Sequence, residues 1–338
     1  MSRSNKHYLE FANFICRFGD AYEMLDLAAE VVLPAIFSGD KRRRGKNTYV
    51  LLNPEIVDLG EGHFGVAFEF VKSTYLESEQ VFDANSDTLR EHRDRIESAP
   101  SAIVLLVLTT HRLVYMPKTK YAPSLGELAA TAQILINRQR DAYIEGFVKQ
   151  YPRSERVAKR IEFGRQVPRA TVEVVPLASG LSIQESLRRF SLIKKLTVTL
   201  VKPNSELDYD SFFRQLRARG EEVGAATTRV EHSNQEGLDK KVASKEVESA
   251  AKEGNSRVWI EGLDNENKKL TQKDSDLKFR QPVDFEPGEV VETAKEMFHT
   301  FAGLAANGII SVPTFMQTAR AKASKALKEW IASKEQKK

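Results

Sequence analysis

The strongest constraint in the chain is a run of seven consecutive apolar residues, Ala102-Ile103-Val104-Leu105-Leu106-Val107-Leu108. It is far shorter than the roughly 20 residues a bilayer core demands. No position in it is polar, so as a strand it needs cover on both faces. Thr109-Thr110-His111 turns the chain, and Arg112–Met116 is placed to pair back as a hairpin. The fold therefore has to provide a sheet with apolar layers above and below this strand.

Periodicity fills in the elements around it. Residues 7–18 alternate as a strand. Asp20 is placed to cap a helix with apolar positions Met24, Leu25, Ala28, Val31, Val32 and Ile36. Residues 38–47 read as a loop holding Lys41-Arg42-Arg43-Arg44-Gly45-Lys46. Strands return at Tyr49–Leu52 and Phe64–Val71, where Phe64, Val66, Phe68 and Phe70 share a face. Asp87–Glu97 reads as a polar surface helix stopped by Pro100. Ser124 and Glu127 have capping-box spacing ahead of a long helix reaching Lys149.

Residues 151–170, bounded by Pro152 and Pro168, form a basic bridge and the expected domain boundary. Beyond it the pattern predicts a strand at Thr171–Val175, a short helix at Ile183–Phe190 and a β-branched strand at Leu196–Val201. A helix capped by Asp208 turns Phe212, Phe213 and Leu216 inward and Arg214, Arg217 and Arg219 outward. Residues 231–256 are a polar surface helix or loop, and Arg257–Glu261 is a strand. Pro287–Asn307 is an amphipathic helix, and Thr314 caps a last one striped by Phe315, Ala319, Ala323, Leu327 and Trp330. The expected class is α+β: two lobes on mixed or antiparallel sheets with flanking helices and a C-terminal helix. The lobes are 1–150 and 171–310, joined by the 151–170 bridge, with a helical tail at 311–338.

The 338 residues are 41% hydrophobic, ample for two cores. One cysteine, Cys16, excludes an intramolecular disulfide or a multi-cysteine zinc site and suits a reducing compartment. Met1–Glu10 lacks the apolar stretch of a signal peptide, so a soluble, cytoplasmic protein is expected. Charge is uneven. Residues 1–100 carry a net −5, residues 101–220 a net +10, and residues 221–338 a net −1. A +10 segment has the electrostatic footprint of a polyanion binder; it is equally the sum of solvated faces balanced by acids elsewhere in space.

Catalytic motifs are absent from the sequence: there is no phosphate loop, no GxGxxG, no GxSxG and no HExxH. Gly62-His63-Phe64-Gly65 reads as a hairpin turn. His7, His63, His92, His111, His232 and His299 show no metal-ligand spacing, and no cofactor is expected. Glu266 and Lys268 form an E-x-K next to Asp264, the only hint of a metal-dependent nuclease, but the acids lie in a turn with no strand after them. What remains is basic. The candidate phosphate contacts are Arg42, Arg43, Arg44, Arg153, Arg156, Lys159, Arg160, Arg188, Arg189, Lys194, Arg214 and Arg217. Few aromatics interleave them, which favours duplex backbone contact over single-strand stacking.

The order of pieces resembles the RexA-like proteins of two-gene phage-exclusion systems. The resemblance is carried by the apolar strand and hairpin at Ala102–Met116, by Val174-Val175-Pro176-Leu177, and by Phe190-Ser191-Leu192-Ile193-Lys194-Lys195-Leu196-Thr197-Val198-Thr199-Leu200-Val201-Lys202-Pro203 running into a charged helix. Val258-Trp259-Ile260, the turn at Asp264 and the helix Val291–Phe298 complete it. The C-terminal helix here is longer than in those proteins. The resemblance implies a dimeric DNA-binding sensor that signals to a small membrane channel protein, and it transfers no catalytic residue. The combined expectation is a non-enzymatic, sequence-tolerant DNA-binding homodimer of phage exclusion. The alternatives are a defence-associated nuclease and a scaffold that meets a protein partner through Phe315, Leu327 and Trp330.

Overall fold

The computed structural model describes residues 7–83, 88–202, 204, 211–252, 254–312 and 317–335. The apolar run forms β7 (Ser101–Val107), the middle of a large antiparallel sheet curled into a half-barrel. Ala102, Val104 and Leu106 point into one core, and Ile103, Leu105 and Val107 into another. The two-sided cover demanded by the sequence is thus present.

The sheet runs β14 (Arg280–Val283), β1 (His7–Phe18), β8 (Arg112–Pro117), β7, β5 (His63–Asp83), β4 (Asn47–Gly60), β3 (Lys41–Arg44), and the two-residue β2 (Tyr22–Glu23) pairs with the end of β1. One face is covered by a helical segment ending in α1 (Leu33–Ile36), by α2 (Leu125–Val148) and by α9 (Gln317–Glu335). The other is covered by α8 (Val290–Ala306) through Val290, Ala294, Met297, Phe301 and Leu304. The Ser124–Glu127 capping box is closed in both directions at the start of α2.

Several expectations need correction. Residues 88–98 are not a helix but β6 (Thr88–Ser98), paired antiparallel with the outer half of β5 as a two-stranded extension of the sheet. They have no apolar stripe with which a helix could dock, and the ladder with β5 satisfies their backbone instead. Asp20 caps no helix. It pairs with Lys202 at 2.9 Å, while Glu23 and Asp26 close the box at a 3-10 turn, Met24–Leu27. The 38–47 segment is the edge strand β3 and its turn into β4.

The largest correction concerns the lobes. The 151–170 bridge is not a boundary. It carries α3 (Arg156–Gln166), and β9 (Ala170–Pro176) then joins the large sheet alongside β1. β9 and β14 lie end to end along the same edge of β1, one pairing with Ala12–Phe18 and the other with His7–Glu10. Where they meet, the Phe279 amide donates to the Leu177 carbonyl at 2.9 Å. The described residues between them leave the sheet, and the chain returns to it at one point. The second lobe is therefore an insertion with its own core, drawn wholly from residues between Ala178 and Leu277. Its four strands run β11 (Thr228–Ser233), β10 (Phe190–Leu200), β12 (Ser256–Asp264), β13 (Lys269–Lys273). Its helices are α4 (Gly180–Arg188), α5 (Ser211–Glu222), α6 (Lys240–Ala251) and α7 (Asp274–Leu277). Asp208, the expected cap of α5, lies outside the described residues.

The C-terminal stripe faces inward. Ala319, Ala323, Leu327 and Trp330 are buried in the large core, with the Trp330 ring 5.5 Å from that of Phe37. Leu327 and Trp330 are thus not a partner surface, and Phe315 and Thr314 lie outside the described residues. Among the described residues no helix is long and apolar enough to cross a membrane.

Candidate nucleic-acid interface

The structure divides the twelve candidate cations into those with internal duties and those facing water. α3 is clamped to α2 by charge. Arg160 reaches Glu145 through Nε and Nη2 at 3.0 and 2.8 Å. Arg156 closes the end of α2, donating to the carbonyls of Tyr151 and Lys149 at 3.0 and 3.1 Å. Lys159 pairs with Glu162 at 2.9 Å, an interaction that raises its pKa, and lies over the Tyr151 ring. Only Arg153 of this group stands exposed without an ion pair among the described residues.

Arg42 and Arg217 are buried, so neither can meet a phosphate. The Arg42 guanidinium donates to the Glu127 carbonyl and Thr131 Oγ1 at 3.3 and 3.2 Å and sits over Tyr49, fastening β3 to α2. Arg217 points in rather than out, donating to the carbonyls of Val201 and Asn255 at 3.0 and 3.1 Å. Phe212, expected inward, is exposed, while Phe213 fills the core. The i, i+3 spacing of Arg214 and Arg217 did not make a shared basic face, because the helix buries the turn that carries Arg217. Arg188, Arg189 and Arg214 are exposed, and Lys194 is half-buried at a bulge in β10.

The coherent basic surface is the sheet edge at β3. Lys41, Arg43 and Arg44 are exposed there and have no carboxylate partner among the described residues. No acid occurs between Lys41 and Pro54. Gly45, at φ +56°, makes the turn into β4. Arg138 joins from α2: its Nη1 donates to the Lys41 carbonyl at 2.9 Å, so its charge lies over the same edge. Sequence reading passed over Arg138 as a contact. Its one signal was that a charged quartet, Asn137-Arg138-Gln139-Arg140, interrupts the apolar stripe of α2. β3 is the last strand of the sheet, and its cations keep it from pairing with a like strand.

Cys16 and His111 are buried, and the acids of the Asp264 turn are engaged. Burial raises the Cys16 thiol to about 12. His111 is buried in the β7–β8 turn, and burial lowers its pKa to about 3. The turn at Asp264 is followed by β13, contrary to the expectation of no strand after it. The Asp264 carboxylate accepts the amides of Glu266 and Lys268 at 2.8 and 2.9 Å, which lowers its pKa, and Glu266 pairs with Lys268. Among the described residues no three His, Cys, Asp or Glu side chains gather to hold a cation. A cavity of 360 Å³ lies where the lobes meet, lined in part by Arg17, Lys202 and Arg257. Each of these pairs with a carboxylate, Glu23, Asp20 and Glu173 respectively.

A family model described as DUF4747, a domain of unknown function, matches residues 157–298. The matched segment opens within α3, contains the inserted lobe together with both strands that anchor it, and ends in α8. No curated protein matches the chain.

Proposed function

We propose that this protein binds nucleic acid without transforming it, seating the phosphates of a duplex on the β3 edge. The observation that carries the reading is the set of exposed cations Lys41, Arg43, Arg44 and Arg138 on one sheet edge, three of them without a carboxylate partner among the described residues. Each Lys or Arg set against a phosphate releases condensed counterions, and that release drives sequence-tolerant binding. A role in phage exclusion, a homodimeric state and signalling to a membrane channel protein are supported by the resemblance to RexA-like proteins. The nuclease alternative has less behind it, since its acids hold their own turn.

The test is binding to a labelled duplex titrated with salt from about 50 to 200 mM. The wild type should bind with a steep salt slope. Arg43→Ala with Arg44→Ala should weaken binding and lower the slope by up to about 2 units. An unchanged slope in that variant would remove the β3 edge from the interface.

A further inference from the structure

The small sheet packs its apolar residues on one face, and the other carries polar residues, of which Thr197 is buried. α4, α5, α6 and α7 all send their apolar residues to the same side, against Leu196, Val198, Val258 and Ile260. On the other side the register sets Trp259 of β12 beside Thr197 of β10 and Lys273 of β13. Arg257 follows two residues along β12 on the same face, and Arg229 of β11 lies beyond Thr199 in the same row. Arg229, Arg257 and Lys273 are exposed, and Trp259 is 43% exposed. Three acids are engaged at this face. Glu173 of β9 takes the Arg257 guanidinium through Nη2 and Nε at 2.9 and 3.0 Å. Glu231 pairs with Lys195 at 3.0 Å, and Glu261 accepts the indole N–H of Trp259 at 2.8 Å, which fixes the ring's orientation.

We propose that this open face is a binding site for single-stranded nucleic acid, with an unpaired base stacked on Trp259 and the neighbouring phosphates held by Lys273 and Arg229. A large ring left in water on an otherwise polar, cationic face is what base stacking uses, and every base presents a π-face to it. The spacing fits. Lys273 lies directly across from the indole, about 5 Å away at Cβ, and Arg229 stands on β11 in the next row of the same face. The site is separate from the β3 edge and takes the strand form that the edge does not select.

The chain has two tryptophans, and the other, Trp330, is buried in the large core, so emission from Trp259 reports on the site directly. The full-length protein is titrated with dT20 and with the corresponding duplex, following tryptophan emission and the anisotropy of a label. dT20 should quench emission. Trp259→Ala should raise its Kd about ten-fold or more, and Trp259→Phe should stay within a few-fold of wild type. Arg229→Glu with Lys273→Glu should also weaken dT20. Arg43→Ala with Arg44→Ala should lower duplex affinity and leave dT20 within about two-fold. U20 reports which sugar is preferred and must show the same dependence on Trp259. Equal affinity of wild type and a folded Trp259→Ala for dT20, or no binding of dT20 by wild type, overturns the proposal. Loss of both ligands on changing Arg43 and Arg44, with Trp259 immaterial, also overturns it while sparing the duplex reading.

Discussion

His111 ties the stability of the fold to pH in a way that can be worked through. It occupies the β7–β8 turn at φ +54°, 1% exposed, with Nδ1 2.7 Å from the Asn204 amide nitrogen. Burial, and then the positive charges of Arg112 and Lys322, lower its pKa from 6.5 to about 3, with Asp26 opposing. The unfolded chain takes up this proton near pH 6.5, and the folded chain resists it until about pH 3. The unfolded state therefore binds more protons throughout that window. The contribution to stability is complete above pH 6.5 and is lost progressively as pH falls towards 3. Between pH 7 and pH 5 the loss is about 2 kcal/mol, a sizeable share of a typical stability of about 5–15 kcal/mol. His111→Asn tolerates the left-handed backbone and does not titrate. Whatever the smaller side chain costs in packing is independent of pH and cancels. Urea unfolding of both proteins at pH 7 and pH 5 gives the answer as a double difference. The wild type should lose about 2 kcal/mol more than the variant over that interval. Equal losses would show that His111 takes its proton in the folded state, contrary to its burial.

Four further outcomes follow from packing. Leu327→Ala should cost about 2–5 kcal/mol in urea unfolding, because the stripe of α9 is core; a cost under about 0.5 kcal/mol would return that stripe to the surface. Gly262→Ala should destabilise by at least about 1–3 kcal/mol, since a Cβ there would lie 2.0 Å from the Leu192 carbonyl oxygen, whereas Gly288→Ala meets nothing within 4 Å and should be neutral. Arg217→Ala should cost about 1–3 kcal/mol, because the Val201 carbonyl loses its Arg217 donor while that of Asn255 keeps the Val201 amide, and Arg214→Ala close to nothing; thermal unfolding of the pair compares them. Replacing residues 178–278 with a two-residue turn should leave the large sheet folded, because Leu177 and Phe279 are already hydrogen-bonded neighbours; loss of its cooperative unfolding by circular dichroism would refute the insertion.

Much of the fold was legible because burial writes itself into periodicity. The unbroken run at 102–108 demanded two apolar layers, and Val66, Phe68 and Phe70 face one of them as their alternation implied. The α+β class, the capping box of α2 and the helix over 290–306 follow from signals confined to a few turns of chain. The insertion was not legible in the same way. β9 reads locally as the first strand of a new lobe, and only its pairing with β1, more than 150 residues away, assigns it to the old one. Likewise β6 carries too little apolar pattern to declare itself, and its strand state is set by β5.

The candidate interfaces divide along the same physical line. The +10 count located cations without their partners, and the acids that neutralise Arg160 and Arg169 come from α2, 15 and 28 residues away. A helix such as α3 distributes its charges round a full turn, so which of them meet water depends on the neighbour it docks against. A strand turns alternate residues to opposite sides, so its exposed set is fixed once one buried residue is known. Val258 and Ile260 are buried, which puts Arg257, Trp259 and Glu261 on the far face; the signal in Arg257-Val258-Trp259-Ile260-Glu261 was present but was read only as a strand. In β3 the burial of Arg42 against α2 directs the neighbouring cations Lys41 and Arg43 away from that helix. On β12 one buried neighbour thus identifies the exposed set, whereas at β3 the same rule yields Lys41 and Arg43 alone, and the turn at Gly45 and the docked helix α2 add Arg44 and Arg138.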